Sequence, residues 1–406
     1  DDDRMRLLLA TLEKACDPDI ALSNLVDIIK VMQSQGKDFT NIIADENSFV
    51  RLITVLGVSD EMGKLMRFRP ELVEAAANDA CESHLYNHEQ RRAHVLKSVG
   101  ADPNDHTMPT ASLPLAEAAT ALRKTYRKQL AAIMAQDATA NDPIEIQPRI
   151  STELSDLADA ALEGALDIAR HEVDGSEHVR FAIIGMGKLG AQELNYVSDV
   201  DLIYVVEPAD MDTNGMALSR IGTKMATTLQ RVCQSVIMGV AEPTLWQIDG
   251  GLRPEGKDGP LVRRLESHEA YYEQWAENWE FQALLKARPV AGDTDLGQAY
   301  MDMTRPFVWT ASKRDNFVYD CQQMRKRVED LISNPLKDRE IKLGRGGLRD
   351  VEFTVQMLQL VHGRSDEALR TSSTLESLQA LAEGGYVSRK QAKKLSWDYR
   401  FERVME

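Results

Sequence analysis

The sequence predicts an α+β fold, with a small mixed sheet flanked by helical regions before and after it. Three observations carry that expectation. Two apolar runs, Val179–Ile184 and Leu202–Val206, are short, rich in β-branched residues and bounded by turn residues, so each reads as a strand. A third run of the same kind, Thr244–Ile248, lies downstream. Before residue 150 and again after His268, apolar residues recur at helical spacing instead.

The opening segment places Leu7, Leu8, Leu9 and Leu12, then Leu22, Leu25, Val26, Ile28 and Ile29, on helical faces, and Phe49 to Leu65 continues the pattern. A breaker cluster at Gly100–Pro109 interrupts it. Helical periodicity returns from Leu113 to Met134, and the polar, proline-bearing stretch Asp137–Thr152 reads as a linker. Residues 153–170 are helical again and lead into the first strand. Within the sheet region, Met216–Ile237 predicts one long helix with Ile221, Met225, Leu229, Val232 and Val236 along one face. Core periodicity resumes at Met324, Val328 and Leu331 and at Val351–Val361. The expected organisation is a helical region over 1–152, a sheet-bearing catalytic domain over 153–265 and a helical domain over 266–406. The last residue falls inside a helix with no stop signal, and the opening Asp1-Asp2-Asp3 reads as arbitrary, so the chain is expected to be a piece of a larger protein.

Composition narrows the function. A length of 406 residues suits two or three domains. The net charge of −16 argues against a polymerase or a tRNA-tailing enzyme, which need a basic surface to displace counterions from a phosphate backbone. There is no apolar run long enough to span a bilayer and no signal-peptide pattern, so no membrane role is expected. Cys16, Cys81, Cys233 and Cys321 are scattered, without a C-x-x-C pair, and this composition reads as cytosolic.

Chemistry concentrates around the first two strands. Gly185-Met-Gly187-Lys-Leu-Gly190 joins them, and a glycine loop there lets backbone N–H groups approach a phosphate. Asp199 and Asp201 stand two apart at the start of the second strand and therefore point to one face. Two carboxylates so placed repel unless a cation sits between them. The third run ends in Asp249 and is followed by a glycine-rich basic turn holding Arg253 and Lys257. Oxygen ligands from two strands suit octahedral Mg²⁺, and two such ions would clamp an in-line displacement at phosphorus. Arg253 and Lys257 would neutralise phosphate charge, or else belong to a surface turn.

The same glycines also spell the dinucleotide-binding fingerprint, with Glu207 near the end of the next strand. Geometry excludes that reading. Between Gly190 and Ser198 there is room for only about two helical turns, whereas a parallel crossover needs about a dozen residues or more.

Other segments hold candidates. Lys342-Leu-Gly344-Arg345-Gly346-Gly347-Leu348-Arg349-Asp350 is a glycine-rich basic loop entering a helix, suited to an anion or to close helix–sheet packing. Glu352 on that helix reads as a partner for an arginine, ahead of an outer metal-shell acid. Glu280, Lys286 and Arg288 are expected on one helix, facing the cleft or solvent. Glu193 is expected to brace the glycine loop by accepting N–H bonds. His84 and His88 stand four apart near His94, but no further residue completes a zinc site.

Taken together, these residues resemble the bacterial glutamine synthetase adenylyltransferase/adenylyl-removing family. The matching stretches are Gly185–Gly190, Glu193-Leu194, Ser198–Leu202, Leu252–Gly256 with Gly259–Val262, Trp279-Glu280 with Lys286–Arg288, and Lys342–Leu348 with Glu352-Phe353 and Val355-Gln356. The resemblance runs from about residue 150 to the end and implies a nucleotidyltransferase-like sheet. That family carries two similar halves, one removing AMP from a tyrosine of glutamine synthetase by phosphorolysis and one attaching it from ATP. The Gly-Met-Gly-Lys form of the loop, the helical lead-in and the closing Asp398–Glu406 segment resemble the removing half, and Leu252–Gly256 and Tyr271–Trp279 resemble actinobacterial members. Many relatives have a basic residue where Gly251 stands here, so no substrate contact is carried over to that position.

The resemblance thus implies an enzyme that regulates nitrogen metabolism. Asp199, Asp201 and Asp249 would be its catalytic metal ligands, for Mg²⁺ or for Mn²⁺ in its place. Gly185, Gly187, Lys188, Gly190, Ser198, Arg253, Lys342, Arg345 and Arg349 would bind nucleotide and phosphate. Its partners would be glutamine synthetase, AMP, ADP or ATP, inorganic phosphate and a PII-type signal protein, in the cytoplasm. Adenylylation from ATP by the same site is the alternative. A regulatory module without turnover is a further one, against which the three intact acids speak, because a dead site tends to lose charges that are costly to bury.

Overall fold

A computed structural model describes residues 2–36, 42, 45–77, 86–210, 214–332 and 339–406. His84 and Cys81 lie outside the described residues. The first helices, Asp2–Lys14, Pro18–Ser34, Glu46–Val58, Asp60–Phe68 and Pro70–Ala77, close over Leu25, Ile28, Leu52, Ile53 and Leu56. Their starts are written in the sequence. Asp17, Asp45 and Ser59 each accept a hydrogen bond from a first-turn N–H, and Pro18 occupies the first position after its cap.

The expected breaker at Gly100–Pro109 is non-helical, lying between the His88–Ser98 and Leu115–Ala138 helices. The expected linker over 137–152 is not a linker. Residues 143–172 form one helix, Pro143–Glu172, which starts at Asp142 and crosses residue 152 unbroken. Asp142 accepts from Ile144 N and Glu145 N, and Pro143 follows it, so the polar, proline-bearing stretch is a helix start. Pro148 removes only one N–H close to that start.

The sheet has five strands: β1 (Val179–Gly185), β2 (Val200–Pro208), β3 (Ile248–Asp249), β4 (Val262–Arg263) and β5 (Arg288–Gly292). β1 pairs antiparallel with β2 on one side and β5 on the other, while β3 and β4 run parallel to β2 along its far edge. The sheet is therefore mixed, as expected. Antiparallel pairing of β1 with β2 also removes the geometry of a dinucleotide crossover. The strand expected over 244–248 is shorter and later. Residues 244 and 245 are drawn to the helices instead, Thr244 O accepting from Arg127 and Leu245 N donating to Cys233 O. β5 went unrecognised because Arg288-Pro-Val-Ala-Gly has no alternation to read.

Side-chain alternation explains how the sheet is covered. Phe181, Ile183, Leu202, Tyr204 and Val206 join a core with the Pro143–Glu172 and Gly215–Gln234 helices. Ala182, Ile184, Ile203 and Val205 enter the opposite core with Tyr272, Phe281 and Tyr300. Asp201 shares the parity of Ile203 and Val205 and so belongs to the second face. The Leu348–His362, Thr374–Glu383 and Arg389–Met405 helices pack around a further small core that includes Leu348, Val355, Leu378 and Tyr399. Among the described residues, no helix is long and apolar enough to cross a membrane.

Candidate active site

The glycine turn is built by close packing. β1 ends at Gly185, and a single helical turn, Gly187–Gly190, follows. Met186 N donates to Asp201 O at 2.8 Å, which ties the turn to the start of β2. Gly187 has φ +54°, and a Cβ there would lie 2.5 Å from Asp201 Oδ2. A Cβ on Gly190 would lie 1.8 Å from Lys286 O and 2.5 Å from Gly185 O. Both positions therefore need glycine, one beside a carboxylate and the other against backbone.

The acids are arranged around this turn. Asp201 and Asp249 are register partners on neighbouring parallel strands, so their side chains leave the same face. Both are half-buried, while Asp199 is exposed just before β2. Burial pushes the Asp201 carboxyl up to about 6, the Asp249 and Asp199 carboxylates add to that, and Arg349 and Lys342 pull it back. Asp249 Oδ1 accepts from Gly251 N at 2.7 Å, which fixes its rotamer. Among the described residues, the one group of three side chains with ligand atoms within 4.8 Å of one another is His88, Asp156 and Asp159, not the three acids singled out from the sequence.

That His/Asp group was missed from the sequence because Asp156 and Asp159 come from a helix far from His88 in the chain. Asp159 is also held bidentately by Arg288, at 2.7 and 3.1 Å, and His88 Nε2 lies 3.6 Å from it. A guanidinium already bound to the central carboxylate makes this an ion network beneath the glycine turn. Arg288 extends it to the turn by donating to Leu189 O and Gly190 O at 3.1 and 3.2 Å. His94 stacks on Tyr86 instead.

The basic candidates divide. Lys342 and Arg349 act on Asp201, and Arg349 also pairs with Glu352 at 2.9 Å. Lys188 donates to Asn195 Oδ1 at 3.3 Å and pairs with Glu406, and burial, reinforced by Arg403, pushes its amine down to about 8. Arg345 turns outward, its side chain 86% exposed, and pairs with Glu329. Arg253, expected on phosphate, is directed at the carbonyls of Gly250, Lys257, Gly259 and Pro260, and so shapes the turn after β3. Ser198 Oγ donates to Asp199 O at 3.0 Å.

Three expectations about the supporting residues change. Glu193 does not brace the glycine turn through its N–H groups. Its buried carboxylate accepts from Thr374 N at 2.6 Å and from Lys286 Nζ at 2.8 Å. Glu280, Lys286 and Arg288 do not share a helix, for the Asn278–Leu284 helix ends first and Arg288 begins β5. Glu352 does pair with an arginine. Burial alone would raise its carboxyl, but Lys286, Arg349, Arg403 and Lys188 outweigh burial and hold it at about 2. Tyr399 OH donates to Glu352 at 3.2 Å. The cations of Arg403 and the acid of Glu406 were passed over, and the only sequence signal was their helical i, i+3 spacing.

Comparison with known proteins identifies the family. Residues 49–303 match the family model described as glutamate-ammonia ligase adenylyltransferase, and residues 320–406 match the one described as GlnD PII-uridylyltransferase. A Bifidobacterium longum protein named bifunctional glutamine synthetase adenylyltransferase/adenylyl-removing enzyme is 77% identical over 405 residues, covering 100% of this chain and 38% of the relative. Proteins of the same name from Cutibacterium acnes and Corynebacterium glutamicum are 46% and 42% identical over 97% and 98% of the chain, and in each the match covers 39% of the relative. The chain thus spans about two fifths of the length of these relatives. With the sheet, the glycine turn and a family match over more than half of its residues, this chain belongs to the glutamate-ammonia ligase adenylyltransferase family.

Proposed function

We propose that this chain carries the adenylyl-removing activity, phosphorolysis of AMP-tyrosine on glutamine synthetase to give free tyrosine and ADP. The observation that carries the chemistry is the pairing of Asp201 with Asp249 in register against the glycine turn, with the charges of Lys342 and Arg349 acting on Asp201. The removing direction rests on the resemblance of the Gly185–Lys188 loop, the helical lead-in and the closing segment to the removing half. This donor set fits a hard divalent cation. Two oxygen donors leave one face, the glycine leaves Asp201 Oδ2 uncovered by a side chain, and burial, with the charges of Asp249 and Asp199 added, holds the Asp201 carboxyl up at about 6. Asp201 and Asp249 would hold Mg²⁺ or Mn²⁺, with Asp199 at the rim. When bound, the metal supplies charge neutralisation at the AMP phosphorus and at the departing oxygen.

The chain's own groups do the rest. The glycine turn fixes Asp201, and Arg288 fixes the turn through Leu189 O and Gly190 O. Lys342 and Arg349 bind phosphate oxygens and bring the attacking phosphate close to the phosphorus. The tyrosine oxygen leaves as a phenolate of pKa about 10, so little acid–base help is required and positioning with charge neutralisation supplies most of the catalysis.

AMP transfer from ATP is the second reading, favoured by relatives whose names carry both activities. Incubating the protein with adenylylated glutamine synthetase, Mg²⁺ and phosphate tests the first, with ADP as the expected product. Unmodified synthetase with ATP tests the second. Formation of adenylylated synthetase there, without ADP from the first mixture, would reverse the assignment. The match of residues 320–406 to a PII-uridylyltransferase model supports a PII-type signal protein as a further partner, and a cytoplasmic location is part of the same proposal.

A further inference from the structure

Three cations from three separate elements meet on one carboxylate. Lys188 comes from the glycine turn, Lys342 from the loop before the Leu348–His362 helix, and Arg403 from the Arg389–Met405 helix. Glu406 Oε1 pairs with Lys188 and lies 3.5 Å from Lys342 Nζ, and Glu406 Oε2 lies 2.7 Å from Arg403 Nη1. The side chains of Lys188, Arg403 and Glu406 are nearly buried. Lys188 follows Gly187, where an added Cβ would lie 2.5 Å from Asp201 Oδ2, so the cluster adjoins the candidate carboxylates.

A single carboxylate is a poor match for this arrangement. Glu352 shares the charge of Lys188 and Arg403, and Asp201 that of Lys342, but Glu406 contacts all three cations with two oxygens and one charge, whereas a phosphate dianion offers more oxygens and about twice the charge. Arg403 also donates to Glu193 O at 2.5 Å, which holds its guanidinium in place whatever Glu406 does. Lys188 is similarly retained by Asn195.

We propose that Lys188, Lys342 and Arg403 form a binding site for inorganic phosphate, filled in this conformation by the Glu406 carboxylate, so that phosphate and Glu406 compete. This deepens the phosphorolytic reading, on which it rests, by locating the nucleophile's site and a chain segment that closes it. Movement of the Arg389–Met405 helix away from the glycine turn would open the site, and any partner that holds that helix aside would favour phosphate entry.

The test is calorimetric titration of the full-length protein with inorganic phosphate in the absence of metal. E406Q, near-isosteric and uncharged, is expected to bind phosphate about tenfold more tightly than the unaltered protein, and the gain should disappear in E406Q combined with K342A. Circular dichroism checks folding. Should E406Q fail to fold, E406D, whose shorter carboxylate leaves Lys342 free, must show the gain instead. Equal or weaker binding, or a gain that survives K342A, would overturn the proposal. A gain for AMP without one for inorganic phosphate would overturn the assignment to free phosphate. Tighter phosphate binding with no ADP formed by any variant sinks the phosphorolytic reading and leaves this site standing. ADP formation with unchanged binding sinks only this site.

Discussion

Asp201 sits at an energetic cost that Arg349 and Lys342 relieve only in part. Burial and the carboxylates of Asp249 and Asp199 raise its carboxyl to about 6. The folded chain therefore keeps a proton there that the unfolded chain has lost, and metal-free stability falls as pH rises between about 4 and 6. Asp201→Asn is expected to raise metal-free stability above that window by about 1–3 kcal/mol, read by urea unfolding, while abolishing ADP release. A variant that kept turnover would refute the role assigned to this carboxylate. The glycines divide in an instructive way. At Gly190 a Cβ meets backbone, so Gly190→Ala should cost more than about 3 kcal/mol. At Gly187 it meets the end of a side chain at positive φ, so Gly187→Ala should cost only about 1 kcal/mol in stability and a large part of activity, because Asp201 must move. Unfolding midpoints and ADP release, measured on both variants, separate the two cases.

Between elements, the connection runs through buried ions. Lys286, just before β5, meets Glu193 after the glycine turn, and Glu193 in turn caps the start of the Thr374–Glu383 helix through Thr374 N. Glu352, on the Leu348–His362 helix, takes the charge of Lys286 and Arg349 and the hydroxyl of Tyr399. Since its folded carboxyl is held at about 2, its contribution is complete above its unfolded value and is lost as pH falls from about 4.5 towards 2. Glu352→Gln should lose about 3 kcal/mol at neutral pH, and the gap to the unaltered protein should close in acid. A pH series of unfolding midpoints would show it, and a gap independent of pH would deny the ion-pair origin. The helix starts at Asp17, Asp45, Ser59 and Asp142 were all present in the sequence as cap residues, yet only three of those segments were read as helix. The fourth carried two prolines, and proline counts as a breaker or a starter according to whether a cap precedes it.

Across the molecule, the sheet is covered on both faces by helices drawn from either side of it in the chain, and the acids emerge where β2 and β3 begin to pair. A divalent cation held by Asp201 and Asp249 relieves their repulsion and binds only the folded state, so Mg²⁺ at about ten times its dissociation constant should stabilise the protein by about 1.4 kcal/mol. Thermal shift reads this, and the shift should vanish in Asp249→Asn. Much of the molecule was legible from local pattern. Strand periodicity located β1 and β2, helical periodicity located the flanking regions, and the glycine turn with its paired acids marked the candidate chemistry, because each depends only on residues close together in the chain. Contacts between distant segments were not legible. That Asp249 would stand in register with Asp201, that Arg288 would leave its helix to build β5 and clamp the glycine turn, and that Glu406 would close on Lys188 and Lys342 are decided by which surfaces bury against which. Packing of that kind is a property of the assembled core, and no window of neighbouring residues contains it.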